Sequence, residues 1–322
     1  MSGMTRHPSA ATGDLRPGAT EAPLDSAMSP RGVAVTSSET RRGGQAWAHR
    51  RVGMLRALKH VVLIGYGVAA LFPLTLIVST SLKTISNGES DPFGLFTSFS
   101  FTNYSQAWTF GDFSGYLLNS VLLAVPSTIV VVVVSTMAGY AFARLRFRGR
   151  DALFYLVIMG LLIPFFAYMI PLFFELQAIA LLNTLVGVDL VLCATCVALG
   201  TFFMRSFFSD LPVEVEQAAR VDGCTEWQVF YRVMFPFVRA GAFGIGLFVF
   251  VQNWNNFLVP LLLLPNGAYR PVTTGLYSWI GRTSDYGAVA AGTVIAVVPV
   301  VIVFLVTQRQ FIRSFAAGAV KG

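Results

Sequence analysis

The sequence is poor in charge: Asp, Glu, Lys and Arg make up 12% of its 322 residues, against about 25% in soluble globular domains. Hydrophobic residues make up 55%. So few charged side chains cannot cover the surface of a soluble protein of this length. The composition therefore excludes an ordinary cytosolic enzyme and indicates a membrane protein.

Residues that carry covalent or metal chemistry are also scarce. Cys193 and Cys196 form a C-x-x-C pattern, but it lies in an apolar run far from every histidine. We interpret these thiols as small buried side chains rather than a redox or zinc site. No lysine follows a glycine, which excludes a Walker A loop. We expect no catalytic residues, no metal, no cofactor bound by this chain and no ATP hydrolysis by it alone.

Long apolar runs dominate what is present. Residues 1–57 are rich in Ser, Thr, Gly, Pro and Arg and predict a disordered cytoplasmic tail, so 58–322 is the predicted membrane domain. Pro164 and Pro171 predict a kink or break in the third apolar segment, and 176–186 predicts a short interfacial helix. The predicted fold is an all-α integral membrane protein with six transmembrane helices, each near the roughly 20 residues that span a bilayer, at about 59–81, 115–141, 152–174, 187–208, 240–263 and 288–308.

The positive charges predict the orientation of these spans. Of the 23 Lys and Arg residues, 20 lie in the N-terminal tail, the loops after the second and fourth segments, and the C-terminus. Lys83, Arg270 and Arg282 are the three on the opposite side. This asymmetry places both termini in the cytoplasm. The net charge of +7 therefore reflects topology in a lipid bilayer, and we expect no nucleic-acid partner.

The predicted spans contain almost no ionisable residues away from their ends, which argues against an ion-coupled carrier and against an ionic substrate at the midplane. Their polar groups are mostly amides and hydroxyls, which suit a neutral, hydroxyl-rich solute. The alternative is that these groups hydrogen-bond between helices. The candidates for lining a translocation path are Asn119, Gln252, Asn253, Asn255 and Asn256.

The loop at 209–239 has the most local structure of the polar segments. Asp210 and Pro212 predict a helix start, and Gly223 predicts its end at a left-handed residue. Thr225 and Gln228 form a capping box for a second helix, which we expect to end near Pro236. The first helix has small residues in its middle and acidic residues beside them, a pattern that favours docking to a partner. The candidate docking residues are Glu214, Glu216, Gln217, Ala218, Ala219, Asp222 and Gly223.

This loop resembles the EAA motif of ABC importer permeases, E-A-A-x3-G-x9-I-x-L-P. Gln217-Ala218-Ala219, Gly223 and Val233-Met234-Phe235-Pro236 keep both spacings, with Gln217, Val233 and Phe235 replacing the motif residues. The stretches NSVLLAVPSTIV, AGYAFARLRFRGRD and WNNFLVPLLLL and the C-terminus QRQFIRSFAAGAVKG resemble the second permease subunit of the maltose-type, carbohydrate-uptake branch. The resemblance covers about 59–322.

The resemblance implies a type I importer in a bacterial cell membrane, with a permease core at about 113–309. Its implied partners are a second permease subunit, two ATPase subunits that bind the coupling loop, and an extracytoplasmic solute-binding protein. The implied solute is a sugar or oligosaccharide. A polyol, glycerol phosphate or amino acid is the alternative within this class, and a secondary carrier or a membrane-embedded enzyme is the alternative outside it.

Overall fold

The computed structural model describes residues 39–84, 94–283 and 285–319, with side chains over 58–84, 94–283 and 285–308. The chain divides into two compact units, 1–65 and 66–322. Residues 1–38 of the predicted disordered tail lie outside the described residues. The backbone of 39–57 is helical, which corrects the prediction for that part. It continues the helix of the first apolar segment, and it contains good helix formers such as Ala, Arg, Gln and Leu.

The described residues are helical or irregular. In chain order the helices are α1 Glu39–Ser81, α2 Thr102–Phe110, α3 Phe113–Arg144, α4 Arg150–Met159 with a 3₁₀ turn Gly160–Leu162, α5 Phe165–Ala178, α6 Leu185–Ser209, α7 Val213–Val221, α8 Glu226–Trp254, α9 Leu258–Leu263, α10 Val272–Ile280 and α11 Tyr286–Ala319.

Five described helical segments are long and apolar enough to cross a membrane, and a bent pair makes six if it forms one span. The five are Leu58–Ser81, Phe113–Arg144, Leu185–Ser209, Glu226–Trp254 and Tyr286–Gln308. The third predicted segment forms the bent pair, Arg150–Leu162 with Phe165–Ala178, at 98°. The break falls at Pro164, where a break was predicted, whereas Pro171 lies inside α5. The bend is therefore sharper than a kink.

The predicted interfacial helix at 176–186 is wrong. Residue 178 ends α5, residue 185 begins α6, and the connection between them turns through Ala180 and Asn183 at φ of 58° and 60°. The leucines of this stretch pack with Leu123, Val188 and Leu263 in a hydrophobic cluster. Its apolar character therefore reflects burial of a loop rather than the face of a helix.

The fifth predicted span and the second helix of the polar loop form one helix, α8. The expected end near Pro236 is wrong because α8 runs on to Trp254, and the expected span to 263 is interrupted after it. Residues Val229–Met234 are π-helical. This wider turn ends two residues before Pro236, so the missing proline N–H falls beside the place where the hydrogen-bonding pattern changes.

The helices pack most extensively where α3 lies along α6, and α8 packs against α3 and α11. Gly139 of α3 and Gly200 of α6 allow this close packing, since a Cβ at Gly139 would lie 2.5 Å from the Cβ of Met204 and one at Gly200 would overlap Ser135 Oγ. At the end of this contact a cluster of buried apolar residues forms, including Tyr140, Phe208, Phe230 and Met234. This cluster supports α7.

Candidate functional site

The helix α7 has a defined start and end. Pro212, with φ of −60°, precedes its first residue Val213, and no side chain caps that end; Asp210 ends α6 instead. At the other end Gly223 has φ of +82°. The amide of Gly223 donates to the Arg220 carbonyl, and the amide of Cys224 donates to the Ala219 carbonyl. These two bonds form a Schellman motif, which confirms the predicted glycine stop.

The predicted capping box then starts α8. The Thr225 hydroxyl accepts from the Gln228 amide at 3.4 Å, and the Gln228 side chain accepts from the Thr225 amide at 2.8 Å. Two backbone donors at the helix start are thereby satisfied. The loop is thus a short helix, a glycine turn and a long helix that enters the bundle.

One face of α7 is buried against the neighbouring helices of the same chain. Ala219 is 7% exposed and belongs to the cluster that contains Tyr140, Phe208 and Phe230. Its small side chain therefore allows α7 to approach its own bundle. The sequence pattern indicated a partner for Ala219, whereas the structure places it on the face that packs inward.

Glu216 lies on the same face and is 3% exposed. Its carboxylate lies 2.5 Å from Arg220 Nη2 and 3.9 Å from Arg144 Nε. Arg220 also donates to Glu226, at 2.7 Å from Nε and 3.1 Å from Nη2. The hydrogen bonds with Glu226, together with the charge of Glu216, raise the pKa of Arg220 above its ordinary value, so this guanidinium remains charged. The carboxylate of Glu216 is thus already shared between two cations of this chain.

Arg144 ties this network to the bundle. It lies at the end of α3, and its side chain is 6% exposed. It donates from Nε to the Phe208 carbonyl at 3.0 Å and from Nη2 to the Leu211 carbonyl at 2.5 Å. Those carbonyls belong to the end of α6 and the turn before α7. One arginine therefore joins the ends of α3 and α6 to the buried carboxylate of α7.

The opposite face of α7 and its C-terminal turn are exposed. Val221 is 87% exposed, an unusual environment for a β-branched apolar side chain at a helix end. The remaining candidate docking residues are also exposed, namely Glu214, Gln217, Ala218, Asp222 and Gly223. The candidates therefore divide into an anchored pair, Glu216 and Ala219, and an exposed set.

The candidate pathway residues do not form one cluster. Asn253 is 6% exposed and donates to the Ser127 hydroxyl at 2.8 Å, which joins α8 to α3. The Asn256 side chain accepts from the amide of Val259, in the first turn of α9, at 3.1 Å. Asn119 donates to the Arg270 carbonyl at 3.1 Å. Gln252 and Asn255 are exposed at the end of α8.

Comparisons with known proteins agree with this architecture. The family described as "Binding-protein-dependent transport system inner membrane component" matches residues 132–316. The diacetylchitobiose uptake system permease protein NgcG of Streptomyces coelicolor is 36% identical over 265 residues, which are 81% of this chain and 88% of that protein. The trehalose transport system permease protein SugB of Mycobacterium tuberculosis is 30% identical, over 83% and 97% of the two chains.

A solved structure shares the fold. It is the crystal structure of a bacterial ABC transporter involved in the import of the acidic polysaccharide alginate, with a TM-score of 0.72 and 24% identity. The match covers 82% of this chain and 98% of that chain. Taken with the family match over more than half of the sequence, these similarities show that the chain belongs to the inner membrane components of binding-protein-dependent transport systems.

Proposed function

We propose that this chain is a permease subunit that moves a sugar or oligosaccharide into the cell, driven by ATP hydrolysis on separate subunits. The observation that carries the substrate class is that its relatives include permeases for diacetylchitobiose, lactose, arabinooligosaccharides and trehalose. The scarcity of ionisable residues in the spans supports a neutral solute.

The coupling element in this proposal is α7. Its exposed face, with Ala218 and Val221, contacts an ATPase subunit, while Glu216 and Ala219 hold it to the bundle. The Arg144 contacts support this assignment, because α7 is thereby joined to the ends of two membrane helices. Movement of the ATPase subunits then displaces α7 and these helices together, as a rigid-body change between two states.

The other partners follow from the same class of transporter. A second permease subunit completes the pathway, and a solute-binding protein delivers the substrate from outside the cell. Both termini face the cytoplasm in this arrangement, in agreement with the distribution of Lys and Arg. Gln252 is the first candidate for contacting solute, since the side chains of the other four, Asn119, Asn253, Asn255 and Asn256, already bond within the chain.

Deletion of the gene tests the proposal. The deletion strain should lose uptake of one sugar or a few related sugars from a panel of radiolabelled disaccharides and oligosaccharides, and the wild-type gene should restore it. Uptake of labelled amino acids, polyols and glycerol phosphate in the same cells is the control. Unchanged sugar uptake with loss of amino-acid uptake would contradict the assigned substrate class.

A further inference from the structure

A polar cleft lies beside α7. It has a volume of about 620 Å³ and is bounded by the end of α3, the start of α4 and one side of α7. A second cleft of about 440 Å³ adjoins it and shares Arg146 and Arg150. Four arginines and two glutamates line the first cleft, namely Arg144, Arg146, Arg150, Arg220, Glu216 and Glu226.

Acidic side chains neutralise some of the arginines that line the cleft more fully than others. Arg144 and Arg220 contact the carboxylates of Glu216 and Glu226, as described above. Arg146 is exposed and makes no ion pair within the described residues. Arg150 pairs with its neighbour Asp151 at 3.2 Å, and Arg205 also lies 3.8 Å from that carboxylate. Arg146 and Arg150 therefore leave an excess of positive charge where the two clefts meet.

The position of these arginines is set by the ends of two apolar helices. Arg146 follows the end of α3 by two residues, and Arg150 is the first residue of α4. Phe147 between them is 41% exposed, and on α4 Leu153, one turn after Arg150, is 47% exposed and Leu156, a further three residues along, is 60% exposed. An exposed apolar surface thus continues directly from the two guanidinium groups, which is the arrangement expected at the edge of the hydrocarbon layer.

We propose that Arg146 and Arg150 bind the phosphate headgroup of an anionic phospholipid, with its acyl chains along the exposed face of α4. Guanidinium groups bind phosphate oxygens through charge-assisted, often bidentate, hydrogen bonds. Cationic clefts between membrane helices at the cytoplasmic surface suit such headgroups. The adjoining apolar face distinguishes this ligand from a soluble anion, because a free phosphate gains nothing from that face. The lipid then contacts the same cleft that borders Glu216 and Arg220 of the coupling helix.

Lipid binding by the full-length chain in nanodiscs tests the proposal. Phosphatidylglycerol is titrated into phosphatidylcholine nanodiscs, and retained phosphatidylglycerol per chain is measured by native mass spectrometry. A surface Lys or Arg contributes roughly fivefold to the binding of an anionic lipid, so Arg146→Gln with Arg150→Gln should weaken binding about 25-fold. Arg232→Gln is the matched control, because Arg232 is exposed on α8 and lines neither cleft. It should leave the affinity within about twofold.

The outcomes separate the possible ligands. Equal affinity in the double variant and the wild type, or an equal loss in Arg232→Gln, would overturn the site. Displacement of the lipid by millimolar inorganic phosphate would assign the cleft to a soluble anion and overturn the lipid assignment. Thermal unfolding in pure phosphatidylcholine checks the fold of each variant. If the double variant is less stable, the single variant Arg146→Gln provides the test, with an expected loss of about fivefold.

Discussion

The buried carboxylate of Glu216 holds α7 to the bundle, and its removal should release that helix. Glu216→Gln keeps the volume of the side chain and removes its charge. Breaking a buried ion pair costs about 3–5 kcal/mol. The Arg144 contact at 3.9 Å is longer than a hydrogen bond, and Arg144 keeps its carbonyl acceptors, so the loss should be smaller. The Arg220 pair is partly exposed and adds at most about 1 kcal/mol. We expect a local loss of about 2–3 kcal/mol.

Hydrogen exchange of the α7 amides measures this loss directly. A cost of about 2–3 kcal/mol should accelerate exchange through local opening by roughly 30- to 150-fold, while amides in the membrane helices keep their protection. Glu214→Gln is the control, because Glu214 lies on the same helix but is exposed and has no ion pair within the described residues. Exchange in Glu216→Gln equal to that in wild type would refute the reasoning that this carboxylate anchors α7.

Three further predictions concern the turn at Gly223, the packing at Gly139 and the orientation in the membrane. Gly223→Val should destabilise the turn by about 1–3 kcal/mol and abolish uptake at normal abundance, because φ is +82° there. A Cβ at this position would meet nothing within 4 Å, so the cost comes from the backbone conformation alone. Gly223→Asn should retain uptake, and equal loss in both variants would show that conformation is not the cause. Gly139→Ala should lower the free energy of unfolding, measured by thermal unfolding, by about 1–3 kcal/mol, because the added methyl group overlaps α6. The control Gly160→Ala should change this free energy little, because the space around Gly160 is open. In intact cells a membrane-impermeant thiol reagent should label Ala268→Cys but not Val221→Cys; the reverse pattern would contradict the orientation.

Hydropathy was sufficient to predict four of the six membrane segments, 59–81, 115–141, 187–208 and 288–308, because every backbone group in lipid must bond within its own helix. The turn at 222–225 was also predictable, since Gly223, Thr225 and Gln228 act on residues next to them in the chain. Two features had no comparable local pattern. The π-helical stretch before Pro236 and the extent of the bend at Pro164 depend on packing between helices that are distant in sequence.

The anchoring role of Arg144 could not be predicted for the same reason. In the sequence it is one of several arginines on the positive side of the membrane. Its carbonyl acceptors lie 64 and 67 residues further along the chain. The five candidate pathway residues were grouped by composition and adjacency, yet the end of α8 at Trp254 separates Asn253 from Asn256 and gives each a different bond. Local patterns predict elements, whereas such contacts depend on the folded bundle.

The central claim is that this chain imports sugar only when it is coupled to ATPase subunits, and transport in proteoliposomes tests it most directly. The chain is reconstituted with its partner permease, the ATPase subunits and the solute-binding protein, and accumulation of the labelled sugar identified by the deletion strain is followed. The account predicts accumulation that requires ATP and the ATPase subunits together. Accumulation by the permease chains alone, driven by an ion gradient without ATP, would contradict it.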